Sequence, residues 1–311
     1  METAMKVAVI GTGMVGAHAA YALVLLRSAS DIVLVDQNHG LAQAHAEDIR
    51  HATPYSAPVH IQAGDFPAIA GSDVVLLCCG VAQKPGEDRL SLLERNVAVF
   101  RAVIAEVVRH APGAILVVAS NPVDVMTAAV RRLSGLPEGR VFGSGTMLDS
   151  ARFRTLVAEH LDVSPLSVHG YVLGEHGDSE VLAWSTVAIS SIPLASFAEQ
   201  RGRPADQAMR ARIDTGVRRA AYQIIAGKGY TAHGIGAALA RIVRVIRDDE
   251  RAVLPLSAPC TIAGREICLS LPRVLGQGGI GPALQPSLNA EEIAALATSA
   301  EVLASVAARL G

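Results

Sequence analysis

The stretch MKVAVIGTGMVG, residues 5–16, constrains this chain more than any other. A short β-branched run leads into three glycines, Gly11, Gly13 and Gly16, and an alanine-rich segment of helical character, AHAAYALVLL, follows at 17–26. A second apolar run, DIVLVD, ends in Asp36, 20 residues after Gly16. Glycines at this spacing are common by themselves. Set between a strand and a helix, with an acid closing the next strand, they describe a βαβ unit that cradles a dinucleotide. Gly11 makes the tight turn, Gly13 lets a pyrophosphate approach the backbone, and Gly16 lets helix and strand pack closely. Met14 and Val15 belong to the same phosphate loop, where the helix N-terminus offers N–H groups and the positive end of its dipole. Asp36 is suited to accept hydrogen bonds from both adenosine ribose hydroxyls and would repel a 2′-phosphate. Its neighbours Gln37 and Asn38 bring no cation to neutralise one. The expected cofactor is therefore NAD and not NADP.

Further apolar runs at 59–63, 73–79 and 114–120 predict strands, with helical patterns between them. Leu93, Val97, Phe100, Ile104 and Val107 recur at helical spacing and predict one buried face for a helix opening at Arg89. Such alternation implies a parallel sheet covered on both sides. The expected fold is α/β: a Rossmann-type doubly wound parallel sheet over residues 1–145, then a mixed α+β substrate domain over 146–311.

The composition narrows the possible partners. Half of the 311 residues are hydrophobic, the net charge is −2 with both signs dispersed, and aromatics are only 4%. No basic stripe interleaved with aromatics exists, which argues against nucleic acid. Cys78, Cys79, Cys260 and Cys268 form no CxxC, consistent with small buried hydrophobes in a reducing cytoplasm. The apolar stretch 7–26 after Lys6 imitates a secretory signal, but three glycines, His18 and Tyr21 interrupt it, Arg27 sits just before the supposed cleavage site, and the dinucleotide reading accounts for the same residues. No anchor or basic amphipathic helix points to a membrane.

Two motifs in the second half carry chemistry. GEHGDSE (174–180) sets His176 among Glu175, Asp178 and Glu180. A metal is not expected there: the next nearby histidine, His169, lies at an odd separation that an extended chain sends to the opposite face, and HExxH is absent. An acid–base histidine needs a carboxylate to orient it. TMLDSARFR (146–154) offers Asp149 and, three residues on, Arg152, which a helix places on one face. One can hold an imidazole in its tautomer while the other binds an anion. Arg154 falls off that face and points away.

GTGMVG with Asp36, AQKPGEDRL (82–90), SNPVD (120–124), LDSARFR, GEHGDSE, KGYTAHGIG (228–236) and CLSLPRVLG (268–276), in this order and register, resemble the bacterial NAD-dependent L-lactate dehydrogenases. The resemblance runs from about residue 5 to the C-terminus. It implies that His176 exchanges a proton with the 2-keto oxygen, that Asp149 orients and stabilises the imidazolium, and that Arg152 grips the substrate carboxylate. It further implies that Arg89 polarises the carbonyl when its loop closes, that Asn121 bonds near the reacting centre and the cofactor, and that Thr231 lines the substrate pocket. Gln83 stands where the related malate dehydrogenases carry an Arg for a second carboxylate. A neutral side chain there favours pyruvate, because a buried unpaired carboxylate costs about 3–5 kcal/mol. Adjacent Lys84 points the other way in an extended loop. Arg154 and His169 match positions that bind fructose 1,6-bisphosphate across a subunit interface, implying a homotetramer with that effector. One departure is His233, where the family often carries an aromatic residue. Malate dehydrogenase and a catalytically silent binding protein are the rival readings. Gln83 opposes the first, and the presence of His176, Asp149, Arg152 and Arg89 together opposes the second.

Overall fold

The runs KVAVI and DIVLV form β1 (Lys6–Ile10) and β2 (Asp31–Val35) in the computed structural model, which describes residues 4–81 and 89–308 and, at 89–92, the backbone alone. α1 (Met14–Leu25) crosses between them, and α2 (His39–Arg50) leads to β3 (His60–Ala63). β4 (Val74–Leu77), α3 (Arg89–His110), β5 (Ile115–Val118), α4 (Val123–Ser134) and β6 (Val141–Gly143) follow. These strands pair in parallel in the order β3-β2-β1-β4-β5-β6. VVLL and ILVV, in β4 and β5, are buried throughout, as strands covered on both faces must be. On α3, Leu93, Phe100, Ile104 and Val107 are buried and Val97 partly so, as the spacing predicts. α1 begins three residues before the alanine-rich run, because extended Gly13 already serves as its N-cap.

The second half opens with α5 (Met147–Leu161) and continues through the short strands β7 (Val168–His169), β8 (Val172–Leu173), β9 (Val181–Leu182), β10 (Ala188–Ile189) and β11 (Ile192–Pro193). α6 (Leu194–Gln200), α7 (Gln207–Lys228) and α8 (His233–Arg247) precede a meander of β12 (Ala252–Ile262), β13 (Arg265–Gly276) and β14 (Gly279–Ala283), and α9 (Ala290–Ala307) closes the chain. The meander does not stand apart. β12 pairs antiparallel with β6 at Ser257↔Gly143, so the main sheet among the described residues has nine strands, order β14-β13-β12-β6-β5-β4-β1-β2-β3.

α8 also crosses the boundary in sequence. Leu239, Ile242, Val243 and Ile246 join the core on the α1 side of the sheet, each contributing roughly 1.5–3 kcal/mol by leaving water. Gly236 permits the approach: a Cβ there would lie 2.9 Å from the backbone carbonyl of His18. The carboxyl ends of the parallel strands, where open α/β sheets bind ligands, carry Gly11, Asp36, Gly80 and Asn121.

Candidate active site

The glycine loop has the shape its sequence implies. Gly11 sits at φ +91°, and a Cβ there would come within 2.5 Å of the Cys79 backbone. A Cβ at Gly16 would strike the carbonyl oxygen of Gly11, whereas one at Gly13 would meet nothing within 4 Å. Gly13 therefore faces open space, in the wall of a cavity of about 830 Å³ lined also by Gly11, Asp36, Gln37, Cys79 and Val81. Asp36 is tied to the loop: its Oδ2 accepts from Thr12 N at 2.6 Å and Thr12 Oγ1 at 3.1 Å, and its Oδ1 from Asn38 N at 2.9 Å. The contact with Thr12 was not anticipated. It holds the acid at the cavity wall. A glycine cradle, and an acid followed in sequence by the uncharged Gln37 and Asn38, fit a dinucleotide lacking a 2′-phosphate.

His176, Asp149 and Arg152 meet. His176 Nδ1 lies 2.5 Å from Asp149 Oδ2, and Arg152 Nη1 donates to Asp149 Oδ1 at 2.8 Å. Asp149 and Arg152 achieve this because α5 brings residues three apart onto one face. Asp149 is only 3% exposed, so its charge acts on the two cations with little screening. With Nδ1 committed to Asp149, Nε2 is the ring nitrogen left to exchange a proton. Arg152 retains donors for an anion.

The segment bearing His176 is clamped from three directions. Gly174 exchanges two 2.9 Å backbone bonds with Ser270 of β13, Glu175 N donates to Ser299 Oγ of α9 at 2.8 Å, and His176 N donates to Asp124 Oδ2 at 2.8 Å. Asp124 in turn accepts from Ser257 Oγ of β12 at 2.5 Å. Because Asp124 lies in the first turn of α4, just past β5, its bond brings His176 to the carboxyl edge of the parallel strands.

Charge follows from this geometry. Burial by itself would lower the His176 pKa, but Asp149, with help from Asp124 and Glu180, raises it to about 9. Burial works against ionisation of Asp149, yet His176 and Arg152 hold its carboxyl below the usual range. Burial pushes Asp124 up to about 6 despite its bonds from Ser257 and His176 N–H. At neutral pH the site thus presents an imidazolium and a guanidinium sharing one carboxylate, an arrangement that receives an anion and supplies a proton.

Residues 5–143 match the lactate/malate dehydrogenase NAD binding domain, and residues 146–309 the lactate/malate dehydrogenase alpha/beta C-terminal domain. The chain belongs to the lactate/malate dehydrogenase family. It is an NAD-dependent oxidoreductase, and NAD is its cofactor. The L-lactate dehydrogenase of Thermus aquaticus is 54% identical over 309 residues, covering 99% of this chain and all of that one. That of Allorhizobium ampelinum is 54% identical over 305 residues, covering 97% and 98%. The crystal structure of the minor L-lactate dehydrogenase from Enterococcus mundtii in its ligands-bound form superposes with a TM-score of 0.94 at 37% identity, covering 99% of each chain.

In this lactate/malate dehydrogenase the remaining anticipated residues are more dispersed. Asn121 is exposed on the loop between β5 and α4, and Thr231 is half-buried just before α8. Met14 is exposed and Val15 half-buried on the first turn of α1. Arg154, on α5, makes one long bond to Pro165 O at 3.4 Å, and His169 is exposed on β7. Gln83 and the side chain of Arg89 lie outside the described residues. Among the described residues, no group of three His, Cys, Asp or Glu is placed to hold a metal ion, and no helix is long and apolar enough to cross a membrane. Asp124 is the functional candidate that sequence reasoning missed. SNPVD marked the right edge of the sheet, but an acid in a helix's first turn is ordinary, and only its burial and its bond to His176 single it out.

Proposed function

We propose that this chain is an L-lactate dehydrogenase, interconverting pyruvate and (S)-lactate. The observation that carries the reading is the His176–Asp149–Arg152 relay at the ligand-binding edge of the sheet. The identity to L-lactate dehydrogenases across both halves supports it. When bound, NADH supplies the hydride for the 2-carbon. Arg152 holds the substrate carboxylate with the donors that Asp149 leaves free. His176 gives its Nε2 proton to the 2-oxygen and recovers it in reverse, while Asp149 steadies the imidazolium. Arg89 polarises the carbonyl and excludes water as its loop closes. Asn121 bonds near the reacting centre, Thr231 lines the pocket, and Gln83 leaves the substrate tail uncompensated, favouring a neutral methyl group. In this scheme residues 1–145, with Gly11, Gly13, Met14, Val15, Gly16 and Asp36, hold the cofactor, and residues 146–311 supply the proton and the carboxylate grip.

Regulation belongs to the same proposal. Arg154, loosely held, and His169, exposed, receive fructose 1,6-bisphosphate at an interface of a homotetramer. The 83% exposure of Leu166, between them in sequence, supports burial of this face by another copy. The setting is the cytoplasm and fermentative glycolysis. Steady-state reduction of pyruvate and of oxaloacetate by NADH, each with and without fructose 1,6-bisphosphate, tests both parts. The expected result is a pyruvate preference of roughly a hundredfold or more, with the apparent substrate constant lowered by the effector. Comparable turnover of oxaloacetate makes the enzyme a malate or dual-specificity dehydrogenase. No response to the effector removes the regulatory part.

A further inference from the structure

Glu180 is a buried acid that the reaction scheme does not use. It is 4% exposed, and its Oε1 is sealed from solvent with no hydrogen-bond partner among the described residues. A carboxylate with one oxygen so placed loses part of its solvation, a costly state that favours the protonated form. The cause is local. Val181 and Leu182, in β9, are buried and paired with β8, which draws the preceding residue inside, and Glu180 N donates to Gly177 O at 3.1 Å in the turn that returns the chain beside His176.

The charged groups around Glu180 come from three elements. Asp149 and Arg152 act on it from α5, His176 from its own segment and Arg218 from α7. Arg218 opposes it most among the cations, but its hydrogen bonds among the described residues go elsewhere: Nε to Asp214 Oδ1 at 2.6 Å, Nη2 to Asp214 Oδ2 at 3.3 Å and Nη1 to Asp178 O at 2.8 Å. Tyr222 also donates to Asp178, at 3.2 Å. Burial, reinforced by Asp149, pushes the Glu180 carboxyl up to about 8, with Arg218, His176 and Arg152 opposing.

We propose that Glu180 is a positioning residue that sets how firmly His176 holds its proton, through the field it projects onto the His176–Asp149–Arg152 group. The inference rests on reading His176 as the acid–base group of the reaction. Below neutrality Glu180 is uncharged and leaves the pair of cations free to receive an anionic substrate. As pH rises, ionisation of Glu180 adds a negative charge that strengthens the imidazolium's hold on its proton. The two groups titrate as a coupled pair.

Glu180→Gln preserves the shape and removes the charge. The His176 ring titration, followed by NMR of histidine-labelled protein, is expected to move down by about half to one pH unit. Pyruvate reduction needs the imidazolium and lactate oxidation the neutral ring. At a fixed alkaline pH the variant should therefore lose reduction and gain oxidation, the ratio of the two kcat/KM values falling roughly three- to tenfold. Glu180→Asp, restoring a carboxyl, is expected to move both back toward wild type. A merely structural role would depress the two directions together. Unchanged ring titration, or parallel losses, overturns the proposal. If Glu180→Gln does not fold, the wild-type ring titration decides: a second inflection from Glu180 supports the proposal, and a single-step curve rejects it. Absence of any pyruvate turnover by the wild type removes the lactate dehydrogenase reading, while the ring titration still reports on Glu180.

Discussion

Asp124 accepts the backbone N–H of His176 at 2.8 Å across 52 positions of sequence, and so joins the first turn of α4 to the acid–base histidine. The carboxyl is 2% exposed and also takes the Ser257 hydroxyl, so one buried group links the loop, the parallel half of the sheet and the antiparallel meander. Asp124→Asn leaves one amide oxygen to replace two acceptors and sets an NH2 group against a donor. The variant is expected to lose about 1–3 kcal/mol of stability, read as a lower urea midpoint with an unchanged slope. It should also lose activity as the His176 segment shifts. A wild-type midpoint would show that Asp124 is dispensable.

Asp149→Asn removes the charge that keeps His176 protonated. Pyruvate reduction is expected to fall by about 10²–10⁴ in kcat, with the alkaline limit of activity moving down from the region of pH 9. Stability follows the same sign. In the wild type the folded-state pKa of His176 lies above its ordinary 6.5, so its contribution is complete below that value and is lost as pH rises through about 9. Asp149, held low, contributes above the ordinary carboxylate range and loses its effect as acid neutralises it. Thermal melts across pH should therefore show a smaller alkaline decline in the variant.

Gly13 and Gly16 should separate binding from folding. Gly16→Ala forces a methyl group into the Gly11 carbonyl and is expected to lower Tm by several degrees or prevent folding. Gly13→Ala has open space around it, so Tm should hold while NADH affinity, measured by fluorescence titration, falls about tenfold or more. Equal Tm losses in both would contradict the cradle.

Gln83→Arg supplies the cation that a second substrate carboxylate needs. The ratio of kcat/KM for oxaloacetate to that for pyruvate is expected to rise by roughly a hundred- to several-thousand-fold. A ratio unmoved by the change would assign selectivity to another residue.

Arg154→Gln is expected to abolish the lowering of the apparent pyruvate constant by fructose 1,6-bisphosphate, because a neutral amide cannot pair with a phosphate. Retained activation would place the effector elsewhere.

Local sequence determined the strand–glycine–helix unit, the acid closing β2, the buried stripe of α3 and the shared face of Asp149 and Arg152. Each depends on residues within a few turns of one another, where backbone sterics and helical or strand periodicity leave little choice. Tertiary structure alone decided that β12 extends the parallel sheet through Ser257, that α8 covers α1, that Ser299 holds Glu175 from 124 positions away, and that Glu180 Oε1 is sealed from solvent with Arg218 turned to Asp214. These depend on which distant surfaces meet and what they exclude. An acid in a sequence reads the same whether it is solvated or sealed; its chemistry is set by the groups that the completed fold brings around it.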